Sequence, residues 1–313
     1  MNATILLVGK TGQLGSELHR LLPNLATVIA PDRNELDLLD AKSIRRVVRD
    51  VRPQLILNAA AYTAVDSAET EESTAHAINA DAPALLAEEA RKLDGALVHF
   101  STDYVFDGSK EAPYTETDSP NPLNVYGRTK LAGEQAIRNS GVSHLIFRTS
   151  WVYATHGRNF LLTILRLAAE RKELKVVDDQ TGAPTCAADL AATTAKILTR
   201  MLTGTKRAFN FSAAGGTYHM TAAGQTSWYE FAKAILEEAG CARQDLPWLA
   251  AATNGRPLIA SRVLPISTQE FNSPTHRPPH SVLSNALLIQ TFGVTLSDWR
   301  TQLRSCFSLN VPR

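Results

Sequence analysis

Cysteine is scarce in this chain: 313 residues hold only Cys186, Cys241 and Cys306, far apart in the sequence and with no CxxC pair. So sparse and odd a set excludes a disulfide scaffold and a cysteine-ligated zinc site, and it fits reduced thiols in a cytoplasmic protein. Long apolar runs are also missing, and none approaches the roughly 18 residues that cross a bilayer. Met1–Val8 is too short for a signal peptide and lacks the flanks of one. Nor does either sign of charge dominate. Lys plus Arg number 32 against 31 Asp plus Glu, which offers no basic excess for nucleic acid and nothing for an anionic membrane. There is no internal repeat and no low-complexity tail. What is present is 44% hydrophobic and 20% charged, enough to build a substantial buried core as one large domain or two linked ones.

The first half alternates strand and helix signals. Thr4–Val8 reads as a short strand covered on both faces. Leu14, Leu18, Leu21 and Leu22 follow at helical spacing, with Pro23 as the stop. Thr27–Ala30 is a second strand. Asp40 suits an N-cap for a helix burying Ile44, Val47, Val48 and Val51, with Arg45, Arg46 and Arg49 on a solvated face. Residues 54–61 read as a strand, Ala80–Leu93 as a helix, residues 96–102 as a strand, 126–138 as a helix and 144–150 as a strand. This alternation predicts right-handed βαβ crossovers and an α/β, Rossmann-type, doubly wound parallel sheet over residues 1–150. Beyond that point the regularity ends. Helical stretches at Phe160–Lys172, Ala188–Leu202, Ser227–Glu238 and Asn285–Phe292, with extended pieces at Leu174–Val177 and Arg207–Ser212, predict a smaller mixed, mostly helical substrate lobe over 151–313. Some of its segments are open to returning to the sheet.

Between the first strand and helix stands VGKTGQLGSEL, residues 8–18. A triphosphate-binding P-loop needs Lys after its last glycine. Here Lys10 precedes Gly12, so that order fails. Gly9, Gly12 and Gly15 instead suit a dinucleotide turn, in which glycines admit the pyrophosphate and close helix–strand packing while the helix N-terminus faces the phosphates. Asp32, at the end of the second strand, is placed for the ribose 2′-hydroxyl of NAD, and neighbouring Arg33 for the 2′-phosphate of NADP. Both are also ordinary turn residues, and Asp37-Leu38 could instead meet the adenine. NADH and NADPH both stay open.

Tyr126 and Lys130 lie four apart, on one helical face. A free tyrosine has a pKa near 10, and a neighbouring ammonium is expected to lower it, making Tyr126 a usable general acid. Thr102 closes a strand of the parallel sheet, where such sheets bind ligands, and its hydroxyl is placed to polarise a carbonyl beside the phenol.

These residues carry a resemblance. Gly9/Gly12/Gly15, Asn58-Ala59-Ala60-Ala61, the run Ser101–Phe106 and Tyr126/Lys130 resemble the extended short-chain dehydrogenases/reductases. TAVDSAE (63–69), NPLNVYGRTKLAGE (121–134), FRTSWVY (147–153), DDQTGAPT (178–185) and HRPPHSVLSN (276–285) narrow the likeness to the dTDP-4-dehydrorhamnose reductase family over nearly the whole chain. The resemblance implies hydride transfer from NAD(P)H to the C4 ketone of dTDP-4-dehydro-β-L-rhamnose, giving dTDP-L-rhamnose. Tyr126 would protonate the developing alkoxide, Lys130 tune it and bind ribose, and Thr102 polarise the carbonyl. Gly12, Gln13 and Leu14 would meet the pyrophosphate, Asp37-Leu38 the adenine end, and Ala59, Ala60 and Ala61 the nicotinamide side. Thr102, Asp103 and Trp151 would contact the sugar nucleotide, and Arg277 its diphosphate, with Asn159 and Phe160 as weaker pocket candidates. Trp151 is equally suited to packing between lobes, and Arg277 to a solvated loop. Some members form Mg²⁺-dependent dimers through acidic residues, with Glu17 as the candidate here. No His/Asp/Glu cluster has metal-ligand spacing, so no metal is assigned, and a homodimer is the assembly the likeness allows.

The chain departs from the family pattern in two places: residues 206–228 are longer than expected, and Pro279-His280 stand where Gly or Asn-like residues are usual. Two other readings compete. One is another nucleotide-sugar reductase or epimerase of the same superfamily, from which TAVDSAE and DDQTGAPT turn the reading away. The other is a non-catalytic regulatory subunit like the methionine adenosyltransferase β subunit, for which a phenol–ammonium pair has no use.

Overall fold

Five residues without a turn former, Thr4–Val8 (β1), are buried at every position after the first, as a strand covered on both faces requires. The computed structural model describes residues 3–203, 208–209, 211, 214–242 and 246–308. After β1 come α1 (Gln13–Leu21), β2 (Thr27–Ile29), α2 (Ala41–Val51), β3 (Leu55–Asn58), α3 (Ala82–Lys92), β4 (Ala96–Thr102), α4 (Val125–Ser140) and β5 (Ser143–Thr149). A sixth strand, β6 (Gly216–His219), joins from far along the chain. All six are parallel, in the spatial order β2-β1-β3-β4-β5-β6. The order reverses direction between β1 and β3, and in such sheets the binding crevice opens outside the strand ends at that switch point.

Local sequence explains the helix starts. Asp40 accepts the Lys42 N–H at 2.8 Å, as expected of an N-cap, and Asn124 does the same for Gly127 at the head of α4. Two readings change. The turn before α3, Ala77–Asp81, is a wider π-type turn rather than part of a regular helix. It lets the Asn79 carbonyl approach α4 so closely that a Cβ on Gly133 would lie 2.1 Å from it. Arg49, read as solvated, forms a forked pair with the buried Glu89 carboxylate of α3 at 2.7 and 2.9 Å, tying α2 to α3.

Beyond residue 150, α5 (Phe160–Glu170) and α7 (Trp228–Cys241) enclose a second core with Tyr153, Leu165, Leu174, Phe231 and Leu303. The strand pair Glu173–Val177 and Arg262–Ile266 flanks it. α6 (Ala187–Met201) instead packs on α1 and gives Leu190, Ile197 and Leu198 to the core beneath the sheet. Cys186 and Cys306, distant in sequence, come to 3.9 Å between sulfurs in the second core. Of the extended piece expected at Arg207–Ser212, Ala208–Phe209 pairs with Leu202–Thr203, while residues 207, 210 and 212 lie outside the described residues. Among the described residues no helix is long and apolar enough to cross a membrane.

Candidate active site

At the switch point a cavity of about 580 Å³ opens over the ends of β1, β3 and β4. Residues 9–14 form one wall. Gly9 has φ +92°, and a Cβ there would stand 2.8 Å from the Ala60 nitrogen, so only glycine lets this turn cross β3's exit. Gly12 caps α1 with backbone alone, and no acidic residue occupies the first turn. The free N–H groups and positive end of the helix therefore face the cavity, which is the electrostatic fit for a pyrophosphate. Gly15 does not line the cavity. A Cβ on it would sit 1.9 Å from the Gly9 carbonyl oxygen, so its place is to let α1 pack against the turn rather than to touch a ligand.

Asp32, Arg33, Asp37 and Leu38 line the far end. One Asp32 carboxylate oxygen accepts the N–H groups of Asn34 and Glu35 at 2.9 and 3.1 Å. Arg33 is exposed, and neither it nor Lys10 of the glycine turn has a carboxylate partner among the described residues. Ala59, Ala60 and Ala61 form the wall at the end of β3.

Tyr126 and Lys130 project from the first turns of α4 into the same cavity. α4 reaches this position because Gly127 lies against the Tyr104 carbonyl, 2.2 Å from where a Cβ would be. Burial pushes the Tyr126 phenol up to about 12, a hydrogen bond with Thr102 opposes the rise, and Asp103 adds to it. The expected lowering by Lys130 does not occur. The Lys130 ammonium donates to the Phe100 carbonyl, 2.6 Å away, and its nitrogen stands 3.2 Å from His99 Nε2. Burial brings Lys130 down to about 8, against the attraction of Glu134. The phenol is therefore fully protonated at neutral pH, as a proton donor must be.

Thr102 and Asp103 are buried at the end of β4, with the Thr102 hydroxyl donating to Asp103 Oδ1 at 3.0 Å, and neither lines the 580 Å³ cavity. Burial lifts the Asp103 carboxyl to about 7, against hydrogen bonds from Ser281 and Thr102. Trp151 takes a left-handed backbone, φ +47°, which is strained for a bulky residue. Its indole stacks on Trp228 at 3.5 Å and 7°, and Gly182 lies beneath with no room for a Cβ. Arg277 is already engaged: its guanidinium meets both Asp66 oxygens at 2.8 and 2.9 Å. Asn159 caps α5 and donates to Gln13 Oε1 at 2.7 Å, and Phe160 packs on Trp228. Glu17 is held by Arg20, and no group of three or more His, Cys, Asp or Glu side chains among the described residues could hold a metal.

Sequence reasoning missed Arg158, Lys10 and His99. Arg158 lines the cavity because the loop 154–159 folds over α1: His156 Nε2 meets Ser16 Oγ at 2.8 Å, and Gly157, at φ +78°, lies against Gln13. These are contacts between residues some 140 apart, so no local pattern announces them.

A six-stranded parallel sheet with a glycine turn at its switch point, and a tyrosine–lysine helix facing that turn, defines a Rossmann-type protein of the short-chain dehydrogenase/reductase kind. The chain belongs to the family described as RmlD substrate binding domain, which matches residues 3–310. It is 46% identical to the dTDP-4-dehydrorhamnose reductase of Burkholderia thailandensis over 303 residues, 96% of this chain and 97% of that protein. Identity to the Escherichia coli K12 enzyme of the same name is 42% over 304 residues, 96% and 95% of the two chains. The crystal structure of dTDP-4-dehydrorhamnose reductase from Bacillus anthracis in complex with NADP superposes with a TM-score of 0.84 at 35% identity, covering 98% of this chain and 99% of that one. UDP-glucose 4-epimerase of Thermus thermophilus, in complex with NAD, shares the fold at 19% identity and TM-score 0.73, covering 98% and 100% of the two chains.

Proposed function

We infer that this chain is an NAD(P)H-dependent oxidoreductase that reduces the C4 ketone of dTDP-4-dehydro-β-L-rhamnose to dTDP-L-rhamnose, the reductive step in making that activated sugar. The observation that carries this reading is that Tyr126 and Lys130 line the same cavity as the glycine turn. A nicotinamide cofactor bound along that cavity supplies the hydride. Gly12, Gln13 and Leu14 hold its pyrophosphate at the head of α1, and Ala59–Ala61 wall the nicotinamide end. Tyr126, protonated at neutral pH, gives its proton to the oxygen on which charge develops, and Thr102 supplies a second polar contact beside it. Lys130 binds ribose and supports Tyr126. Trp151 and Asp103 face the sugar nucleotide, and Arg277, shared with Asp66, stands at its diphosphate. Residues 1–150 form the cofactor-binding part. Much of 151–313 forms the sugar-nucleotide lobe, while α6 and β6 pack into the first part.

NADPH is the preferred cofactor in this reading, because Lys10 and Arg33 line the cavity without carboxylate partners among the described residues and Asp32 is engaged by its own turn. The test is the loss of reduced-cofactor absorbance when the protein meets 4-keto-6-deoxy sugar nucleotides with NADPH or NADH. No oxidation of either cofactor with any such sugar overturns the reading, and a preference for NADH overturns the assignment of Lys10 and Arg33.

Arg158 adds a clamp over the pyrophosphate turn, since the planar guanidinium suits paired phosphate oxygens. Arg158→Ala is expected to raise KM for the cofactor roughly tenfold, the size of one charge-assisted contact, and to leave kcat within about twofold. Steady-state kinetics with the cofactor varied checks this, and an unchanged KM removes the clamp.

A further inference from the structure

β4 carries one buried titratable side chain that neither the proposed chemistry nor apolar packing accounts for. His99 is 0% exposed, within the otherwise apolar run Ala96–Phe100. Both its ring nitrogens are engaged. Nδ1 meets the Asn58 amide nitrogen at 3.1 Å, and Nε2 meets Lys130 Nζ at 3.2 Å. The Asn58 amide is oriented independently, because its oxygen accepts the Ala60 N–H at 3.1 Å. Its NH₂ group therefore faces His99, and Nδ1 must accept. Burial, with Lys130 alongside, keeps the imidazole neutral, so the single ring proton sits on Nε2 and points at the Lys130 nitrogen. An ammonium group has only donors to offer that N–H, whereas a neutral amine has a lone pair to receive it. The groups that face Lys130 thus pull in two directions. Glu134, on its own helix, and the Phe100 carbonyl favour the charged form, and His99 from β4 favours the neutral one.

We propose that His99 is a positioning residue for Lys130: held by Asn58 with its proton on Nε2, it sets where the Lys130 nitrogen stands at the cavity wall and stabilises the neutral amine. This rests on the reading of Lys130 as part of the reductase machinery. Asn58 also holds the Ala60 N–H, so one buried network spans the Ala59–Ala61 wall, His99 and Lys130. Two sides of the cavity are thereby fixed relative to each other.

The tautomer is read on the intact wild-type protein from imidazole nitrogen-15 chemical shifts, with the His99 signal identified by its loss in His99→Gln. The expected result is a protonated Nε2 and a bare Nδ1 that do not titrate across the neutral range; an Nδ1–H tautomer or an imidazolium overturns the proposal. In kinetics, His99→Leu is expected to lower kcat roughly 10- to 100-fold, as small misplacements of a working group do. KM for the sugar nucleotide should stay within about twofold. The alkaline inflection of kcat should move to higher pH, because the ammonium is favoured once the opposing N–H is gone. His99→Gln, whose amide nitrogen falls near the Nε2 position, should recover part of the loss. In a Lys130→Met background His99→Leu should add nothing. If it lowers residual turnover by the same factor with and without Lys130, the positioning role falls while the reductase reading stands. If Lys130→Met alone leaves turnover intact, it is the assignment of Lys130 that falls.

Discussion

Tyr126→Phe is expected to bind the reduced cofactor within about twofold of the parent affinity and to turn over about 10²- to 10⁴-fold more slowly, the span that a positioned proton donor contributes. The effect is electrostatic. Hydride arriving at a carbonyl carbon leaves charge on its oxygen, and the transition state needs a donor aimed at that point in a site screened from water. Burial keeps the Tyr126 proton in place, with the phenol near 12, so at neutral pH every molecule carries the donor. Cofactor affinity should be spared because the glycine turn, proposed to hold the pyrophosphate, forms another wall of the cavity. Single-turnover rates and fluorescence titration of the cofactor separate the two quantities. Unchanged turnover would refute the role of the phenol, and lost cofactor binding would mean that the ring supports the cavity rather than the chemistry.

The second large effect is on stability. Glu134 on α4 meets Arg148 on β5 through two bonds of 2.8 and 2.7 Å, accepts from Ser101 of β4 at 2.6 Å, and takes a further contact from Arg138 at 3.0 Å. The Glu134 and Arg148 side chains are 0% and 3% exposed. Removing one partner leaves a buried charge uncompensated, so Glu134→Gln or Arg148→Met should each cost about 3–5 kcal/mol. The exposed Arg166–Glu170 pair is the control: Glu170→Gln should cost under about 0.5 kcal/mol. Denaturant titration measures both. A loss below about 1 kcal/mol for Glu134→Gln would show that the site relaxes to admit water. Acid acts on the same place. Arg148 holds the Glu134 carboxyl below its ordinary 4.5, so its stabilisation is present above that value and lost as pH falls toward the folded-state value. His219, near Arg148, is pushed by burial from 6.5 to about 3. Between those values the unfolded chain takes up a proton that the folded one refuses. Stability should therefore decline as pH falls below about 6.5, by up to about 1.4 kcal/mol per pH unit for each group. His219→Leu should flatten the upper part of that decline.

The sheet was legible because its strands are short apolar runs bounded by turn formers; β4 was readable to the residue, at 96–102. Caps such as Asp40 act within three residues, so sequence displays them directly. The same locality explains why Tyr126 and Lys130 could be paired in advance: one helical turn brings them to one face. What sequence could not display is where a charged head turns when alternatives compete. Lys130 meets a main-chain carbonyl on β4 rather than the phenol, and Arg277 meets Asp66, 211 residues away. Arg158 and β6 depend on tertiary contacts of still less local origin, and the π-type turn at Ala77–Asp81 goes with close packing on α4 that no local pattern announces.

The loop 154–159 belongs to two structures at once. Its Asn159 starts α5 of the second core while grasping Gln13, and its His156 grips Ser16 on α1. Whatever settles on the head of α1 therefore acts on the first turn of the lobe assigned to the other substrate. Binding free energies are linked reciprocally: if the cofactor tightens the sugar nucleotide by some factor through this loop, the sugar nucleotide must tighten the cofactor by the same factor. If the cofactor and the sugar nucleotide bind on the two halves proposed for them, these six residues are the covalent and hydrogen-bonded route by which each would feel the other.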